Sequence, residues 1–213
     1  TVQAEPAALG EIAIELSNLY YATGNEVAAE AELAQAQTLA GDSILVKEAL
    51  ARQAFQQRDA QRGARYYREA IALGTKNPRA YVLSASQRLD KTSSGRDSAG
   101  GGAFFVDPAI AELRQLLKMN PGYTDGYTAL GRAFFLRSEI TDANVDEVSA
   151  GVGPRDDECR VRFYRALLWN RLKKTAEYEQ DLRHIAAASR ELPVIRRQVR
   201  DRLDLLAFDA VRR

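Results

Sequence analysis

The sequence predicts an all-α protein built as an α-solenoid, a row of antiparallel helix hairpins, and three observations carry that expectation. The first is compositional: among 213 residues stand 35 Ala and 23 Leu against 12 Val and 8 Ile, a balance that favours helices over strands. The second is punctuation. All six prolines, at 6, 78, 108, 121, 154 and 193, fall between or at the very start of apolar-periodic stretches, where a fixed φ and a missing N–H do least harm. The third is that these stretches recur at a fixed period.

Apolar residues at helical spacing give Gly10–Thr23 and Glu26–Leu39 as the first pair of elements, then Ser43–Gln57 and Asp59–Leu73 as the second. Pro78 opens Pro78–Leu89 and Pro108 opens Pro108–Met119; Thr124–Arg137 follows Pro121, and Thr141–Ala150 is the shortest. Arg155–Lys173 begins after Pro154, Thr175–Ser189 follows it, and Pro193–Phe208 closes the series. That makes eleven helices and no strand. Their connections are mostly two to six residues, which in an all-helical chain makes neighbours antiparallel. Unit starts at 10, 44, 78, 124 and 159 give intervals of 34, 34, 46 and 35. The long interval is 34 plus 12, and the extra residues fall in the Ser- and Gly-rich run 91–103, where no helix is expected.

The first unit places Leu16, Ser17, Tyr20, Gly24, Ala29, Leu33 and Ala36, and the fourth Tyr127, Leu130, Gly131, Phe134 and Ala143, in corresponding slots; the third ends with Ala109, Leu113, Leu116 and Asn120-Pro121. This pattern resembles the tetratricopeptide repeat family, a 34-residue helix-turn-helix unit, over residues 10 to 190. Small residues recur at the eighth slot (Ser17, Ala51, Ala85, Gly131, Ala166) and the twentieth (Ala29, Gly63, Ala109, Ala143), with Tyr178 the exception. Close helix crossings need small side chains there, and bulky neighbours fill the gaps beside them. Lys47, Arg88, Arg162, Arg165 and Glu147 depart from the pattern, standing where apolar residues belong. The resemblance implies a right-handed superhelix ended by a capping helix. In Pro193–Phe208, Val194, Ile195, Val199, Leu203 and Leu206 form one stripe and Arg196, Arg197, Arg200 and Arg202 the other side. The organisation expected is a linker or tail at 1–9, the repeat domain at 10–190, and the capping helix and tail at 191–213.

Charge and composition bound the partners. Thirty Lys plus Arg against 29 Asp plus Glu leave a net charge of +1, so no global field steers the chain to nucleic acid or an acidic membrane. Cys159 is the only cysteine, which excludes an intramolecular disulfide and leaves the compartment open. The longest apolar runs, such as Ala166–Trp169, are far below the roughly 20 residues of a membrane helix, and a soluble chain is expected. It begins at Thr1, and its single methionine is Met119, which reads as a domain cut from something longer.

Little catalytic chemistry is legible. His184 is the only histidine, followed by Ile185 and three alanines, and reads as a helix-surface residue rather than a metal ligand or base. Cys159 lies near Arg155, Arg160 and Arg162 without a partner base in sequence and reads as a buried cysteine. Gly100–Gly102 lacks phosphate-loop spacing; Phe104 and Phe105 beside it are expected to close against their own hairpin. Asp156, Asp157 and Glu158 mark a helix N-terminus. Eight Arg between residues 183 and 213 read as a solvated cap face rather than a phosphate surface. No enzyme activity, cofactor, metal or nucleic-acid partner is expected.

Recognition by a groove remains. In the family this chain resembles, the first helix of each hairpin lines the concave side through slots 2, 5, 9 and 12. Those slots hold Glu11, Ile14, Asn18 and Tyr21; Leu45, Glu48, Arg52 and Phe55; Arg79, Val82, Ser86 and Leu89; and Asp125, Thr128, Arg132 and Phe135. Aromatic side chains beside Asn and Arg suit a peptide or protein segment. The chaperone-tail clamp known in one subclass is disfavoured: Asn18 and Arg79 match it, but Ile14, Ala49 and Leu83 stand where it needs Lys, Asn and a basic residue. The expectation is a protein-interaction or assembly scaffold, with self-association left open. The alternative is the accessory C-terminal repeat domain of a larger, bacterial-type enzyme whose activity lies outside these residues.

Overall fold

The computed structural model describes residues 5–93, 101–153, 159–188, 195 and 197–203. Among the described residues every regular element is helical: α1 Pro6–Ala22, α2 Glu26–Ala40, α3 Ile44–Gln56, α4 Ala60–Ala72, α5 Pro78–Ser93, α6 Gly101–Met119, α7 Thr124–Leu136, α8 Asp142–Ser149, α9 Cys159–Arg171 and α10 Thr175–Ala188. The chain divides into two compact units, residues 1–87 and 88–213.

In the first unit one turn design repeats. Gly24 and Arg58 take φ of 78° and 61° at equivalent places, 34 residues apart, after α1 and α3. The next amide reaches back into the helix: Asn25 N–H donates to Tyr20 O at 2.9 Å and Asp59 N–H to Ala54 O at 2.8 Å. These bonds use carbonyls that a helix end otherwise leaves unpaired. Asn25 and Asp59 then cap the following helix, accepting from Ala28 N at 3.2 Å and Arg62 N at 2.9 Å. The hairpins α1–α2 and α3–α4 close on small residues. Ser17 donates its hydroxyl to Ala29 O at 2.8 Å, joining the eighth and twentieth slots directly. A Cβ on Gly63 would stand 2.5 Å from the Phe55 ring, which stacks on Tyr67 with centroids 5.6 Å apart. Ala13, Ile14, Leu33, Ala36, Val46, Ala49 and Leu50 form one buried cluster, and Ala51, Tyr67 and Ala80 form another.

The second unit is less regular. The turn from α7 to α8 spans five residues, 137–141, where 172–174 suffices between α9 and α10. Arg171 holds the longer turn, donating to the carbonyls of Phe135 (2.8 Å), Arg137 (2.6 Å) and Ser138 (2.7 Å). The added length rotates α8: its buried face is Asn144, Val145 and Val148, and Ala143, expected at a tight crossing, is exposed. Gly131 does lie at a close approach, where a Cβ would meet Tyr164 Cβ at 2.8 Å. Cys159, Phe163, Ala166, Leu167, Tyr178, Leu182, Ile185 and Val199 make the core of this end.

Two expectations about the insertion fail. Helix α5 runs on to Ser93 and α6 starts at Gly101, so helix enters both ends of the 91–103 segment, and Pro108 lies inside α6. The reason is burial. Val106, Ala109, Ile110, Leu113 and Leu116 are buried at helical spacing on both sides of Pro108. The carbonyl that a proline there leaves unpaired belongs to Phe104, four residues earlier, which is 73% exposed. Phe104 also fails to close against a hairpin; it meets Phe105 edge-on at 5.1 Å.

At the C-terminal end, 195 and 197–203 are helical. Val199 is buried and Ile195 and Leu203 pack on the core, while Arg197 and Arg200 are exposed. Arg202, expected on the outer side, instead lies over the Phe163 ring at 5.5 Å. Val194, Arg196, Leu206, Asp156, Asp157 and Glu158 lie outside the described residues.

Each charged departure meets an opposite charge on another helix. Lys47 meets Glu69 at 2.6 Å, Arg88 Nε donates to Glu112 at 3.2 Å, and Arg114 grips Glu147 through two 2.8 Å bonds. Arg165 grips Asp181 at 2.8 and 2.5 Å.

A candidate peptide-binding face on the first helices

Positions 11, 14, 18 and 21 advance by three, four and three residues and so share one face of α1. Positions 45, 48, 52 and 55 do the same on α3. Between these helices lies a pocket of ≈ 660 Å³ whose walls include Glu11, Ile14 and Asn18 from α1 and Leu45, Glu48 and Arg52 from α3. A second, of ≈ 200 Å³, is lined by Asn18, Tyr21, Arg52, Gln53 and Gln56 among others. Asn18, Glu48 and Arg52 thus converge on one cavity and Tyr21 on its neighbour. The larger pocket combines apolar side chains with a few charges and an amide, the makeup of a site that buries a ligand and orients it.

The polar groups differ in their freedom to meet a ligand. Glu48 is engaged by the turn between α4 and α5: it accepts from the Thr75 hydroxyl and from Asn77 Nδ2 at 3.0 Å. Tyr81 OH donates to Thr75 O at 3.0 Å and completes that lock. Arg52 and Arg79 are exposed. Burial pushes the half-buried Tyr21 phenol above its usual 10.0, with the hydrogen bond to Gln53 opposing the shift. Phe55 is taken up by its stack on Tyr67 over Gly63, so it serves the hairpin rather than the face.

The four residues expected on α7 lie in the second unit. Asp125 is exposed. Thr128 donates to its own helix at Thr124 O, 3.2 Å, Arg132 pairs with Asp90 at 2.6 Å, and Phe135 packs against the α9–α10 core. His184 is exposed on α10, and Cys159 is buried. Among the described residues no group of three or more His, Cys, Asp or Glu is placed to hold a metal ion, and no helix is long and apolar enough to cross a membrane.

Sequence reasoning missed the outer apolar residues of the same pocket, Ile12, Leu16 and Leu19. Their 3–4–3 spacing from Leu9 was the available signal.

Beneath this face, burial raises the Tyr67 phenol above 10.0, with Arg79 and Arg52 lowering it and Glu48 raising it. Burial raises Tyr178 likewise, against Arg202. A phenol kept neutral in the folded state but free to ionise when unfolded contributes stability below pH 10 and loses it as pH climbs through the folded pKa. The folded chain should therefore weaken above pH 10, with late-ionising tyrosines in absorbance at 295 nm. Replacing Tyr67 and Tyr178 by Phe should flatten that decline; an unchanged alkaline profile would contradict the assignment.

No protein-family model matches the sequence, and no curated protein matches it. Among solved structures the chain is similar to the crystal structure of a thermophilic TPR protein from Thermus thermophilus, with a TM-score of 0.54 at 14% identity, covering 91% of this chain and 98% of that one. At this identity the likeness is one of fold. The chain has the all-α helical-repeat fold of a tetratricopeptide protein.

Proposed function

We propose that this protein is a non-catalytic interaction scaffold that binds a peptide or protein segment on the first-helix faces of its first two repeats, α1 and α3. The observation that carries the reading is the ≈ 660 Å³ pocket between α1 and α3, where side chains from the same slots of successive units line one wall set. Ile14 and Leu45 offer area, and Asn18 with exposed Arg52 offers donors to a peptide carbonyl or carboxylate. Glu48, locked to the next turn, braces α3 instead of reaching outward. The partner is a protein rather than a nucleic acid, since the α1 side of this face is acidic and repels phosphate.

The test is selection of peptides from a displayed library on the wild-type chain, followed by dissociation constants for the winners. Arg52→Glu and Asn18→Ala should each weaken binding about tenfold, the loss of one or two polar contacts. Arg160→Glu, exposed on α9, should change nothing. Selected peptides that bind Arg52→Glu and Asn18→Ala as tightly as wild type would remove the groove from consideration.

A further inference from the structure

Where α3, α4 and α5 meet in the first unit, a buried hydroxyl lacks a partner. The Tyr67 ring of α4 packs with Ala51 of α3 and Ala80 of α5 in one cluster, and Tyr67 is 1% exposed. Among the described residues its hydroxyl makes no hydrogen bond, although a buried tyrosine ordinarily finds one. The residue after Ala51 is Arg52 and the residue before Ala80 is Arg79, and both are exposed. The turn between α4 and α5 brings them to the same place. Glu48, one helical turn before Arg52, accepts from Asn77 Nδ2 at 3.0 Å, and Asn77 Oδ1 accepts from the Arg79 backbone N–H at 3.1 Å. Both guanidinium charges act on the Tyr67 phenol and favour its ionised form. Lys47 and Arg65 of the same unit pair with Glu69, and Arg62 pairs with Asp59. The Arg52 and Arg79 side chains have no ion pair or hydrogen bond among the described residues.

What this seat lacks is an acceptor. A phenol and two guanidinium forks offer five or more donors to one anion. A carboxylate has two oxygens, which a single Arg fork fills. A phosphoryl group brings three acceptor oxygens and a charge of about −1.5 to −2 at neutral pH, matching two arginines. Glu48, the carboxylate near the phenol, is engaged by Thr75 and Asn77, and the acidic residues that make the α1 side repel phosphate stand on another helix. We propose that Arg52, Arg79 and Tyr67 Oη hold the phosphoryl group of a phosphoserine or phosphothreonine in a bound protein segment. The seat presupposes that the α3 face takes a peptide, and it carries that face on to the first turn of α5.

The test uses the complete protein and fluorescent peptides selected from a library with a fixed central phosphoserine, each made again with serine and with glutamate at that position. By anisotropy the phosphoserine form should bind about tenfold tighter than either twin, and the preference should shrink in high salt. Arg79→Ala should bring it down to the level of its serine twin. Tyr67→Phe keeps the ring packing and should weaken the phosphoserine form about threefold, the loss of one hydrogen bond, without lowering Tm. Arg65 already pairs with Glu69 on its own helix, so Arg65→Ala should keep the full preference. Equal binding of the phosphoserine and serine forms overturns the proposal, as does a preference that survives Arg79→Ala. A glutamate form as tight as the phosphoserine form overturns it too, because the seat would then be one for carboxylates. Serine forms that lose affinity on Asn18→Ala while phosphorylation adds nothing leave the groove standing and remove the phosphoryl seat. Phosphoserine forms whose preference needs Arg79 but not Asn18 support the seat and count against the groove between α1 and α3.

Discussion

Asp181→Ala is expected to destabilise the second unit by about 3–5 kcal/mol, the range for removing one partner of a buried ion pair. Asp181 is 3% exposed and receives Arg165 Nε at 2.8 Å and Nη2 at 2.5 Å, with Arg162 Nη1 at 3.9 Å. The two arginine side chains are themselves only 15% and 18% exposed. Without the carboxylate, Arg162 retains its 2.8 Å bond to Gly153 O and Arg165 its 3.3 Å contact with Ser149 Oγ, but neither contact neutralises a charge. Replacing both partners, as in Arg165→Met with Asp181→Leu, should recover most of the loss, since a well-packed apolar pair avoids the desolvation that the ion pair has to offset. Chemical denaturation of the three proteins checks this. A loss below about 1 kcal/mol for Asp181→Ala would put the pair in the class of solvated surface bridges.

Arg165 also shows where reading the sequence stops. At its slot a charge looks like a defect, because the partner that explains it stands 16 residues away on the next helix; Lys47 and Glu69, or Arg114 and Glu147, are separated further still. Pairing of this kind has no local signal. The tight crossings, by contrast, were legible: Ser17 and Ala29 were singled out by size and spacing alone, and the structure joins them by a hydrogen bond. Pro108 misled because a proline is judged by its own backbone, whereas the burial of Val106 through Leu116 decides whether a helix continues past it. For the candidate face the register gave direction without neighbours. Asn18 and Arg52 point to a shared pocket, but Glu48, Phe55 and Phe135 in equivalent slots are taken up by a turn, a stacked ring and the next hairpin.

The register itself is open to measurement through alanine. Ala29→Leu and Ala109→Leu should each cost about 1–3 kcal/mol, because both side chains are fully buried and added methylenes force neighbours off their rotamers. At Ala29 the strain falls on the contact that carries the Ser17 bond. Ala143→Leu is the discriminating case. A strict 34-residue repeat puts it at the same crossing, whereas the five-residue turn held by Arg171 leaves it exposed on α8. The substitution should then stay within about 0.5 kcal/mol. Because the chain has two compact units, their unfolding need not be a single step. If they melt separately, Ala29→Leu moves the transition of residues 1–87 and Ala109→Leu the other. In urea the midpoints should move at constant m for the buried sites and not at all for Ala143. A loss at Ala143 equal to that at Ala29 would restore the strict repeat and reject the rotated α8. A neutral result would show that the turn, and not the 34-residue count, sets which face of that helix is buried.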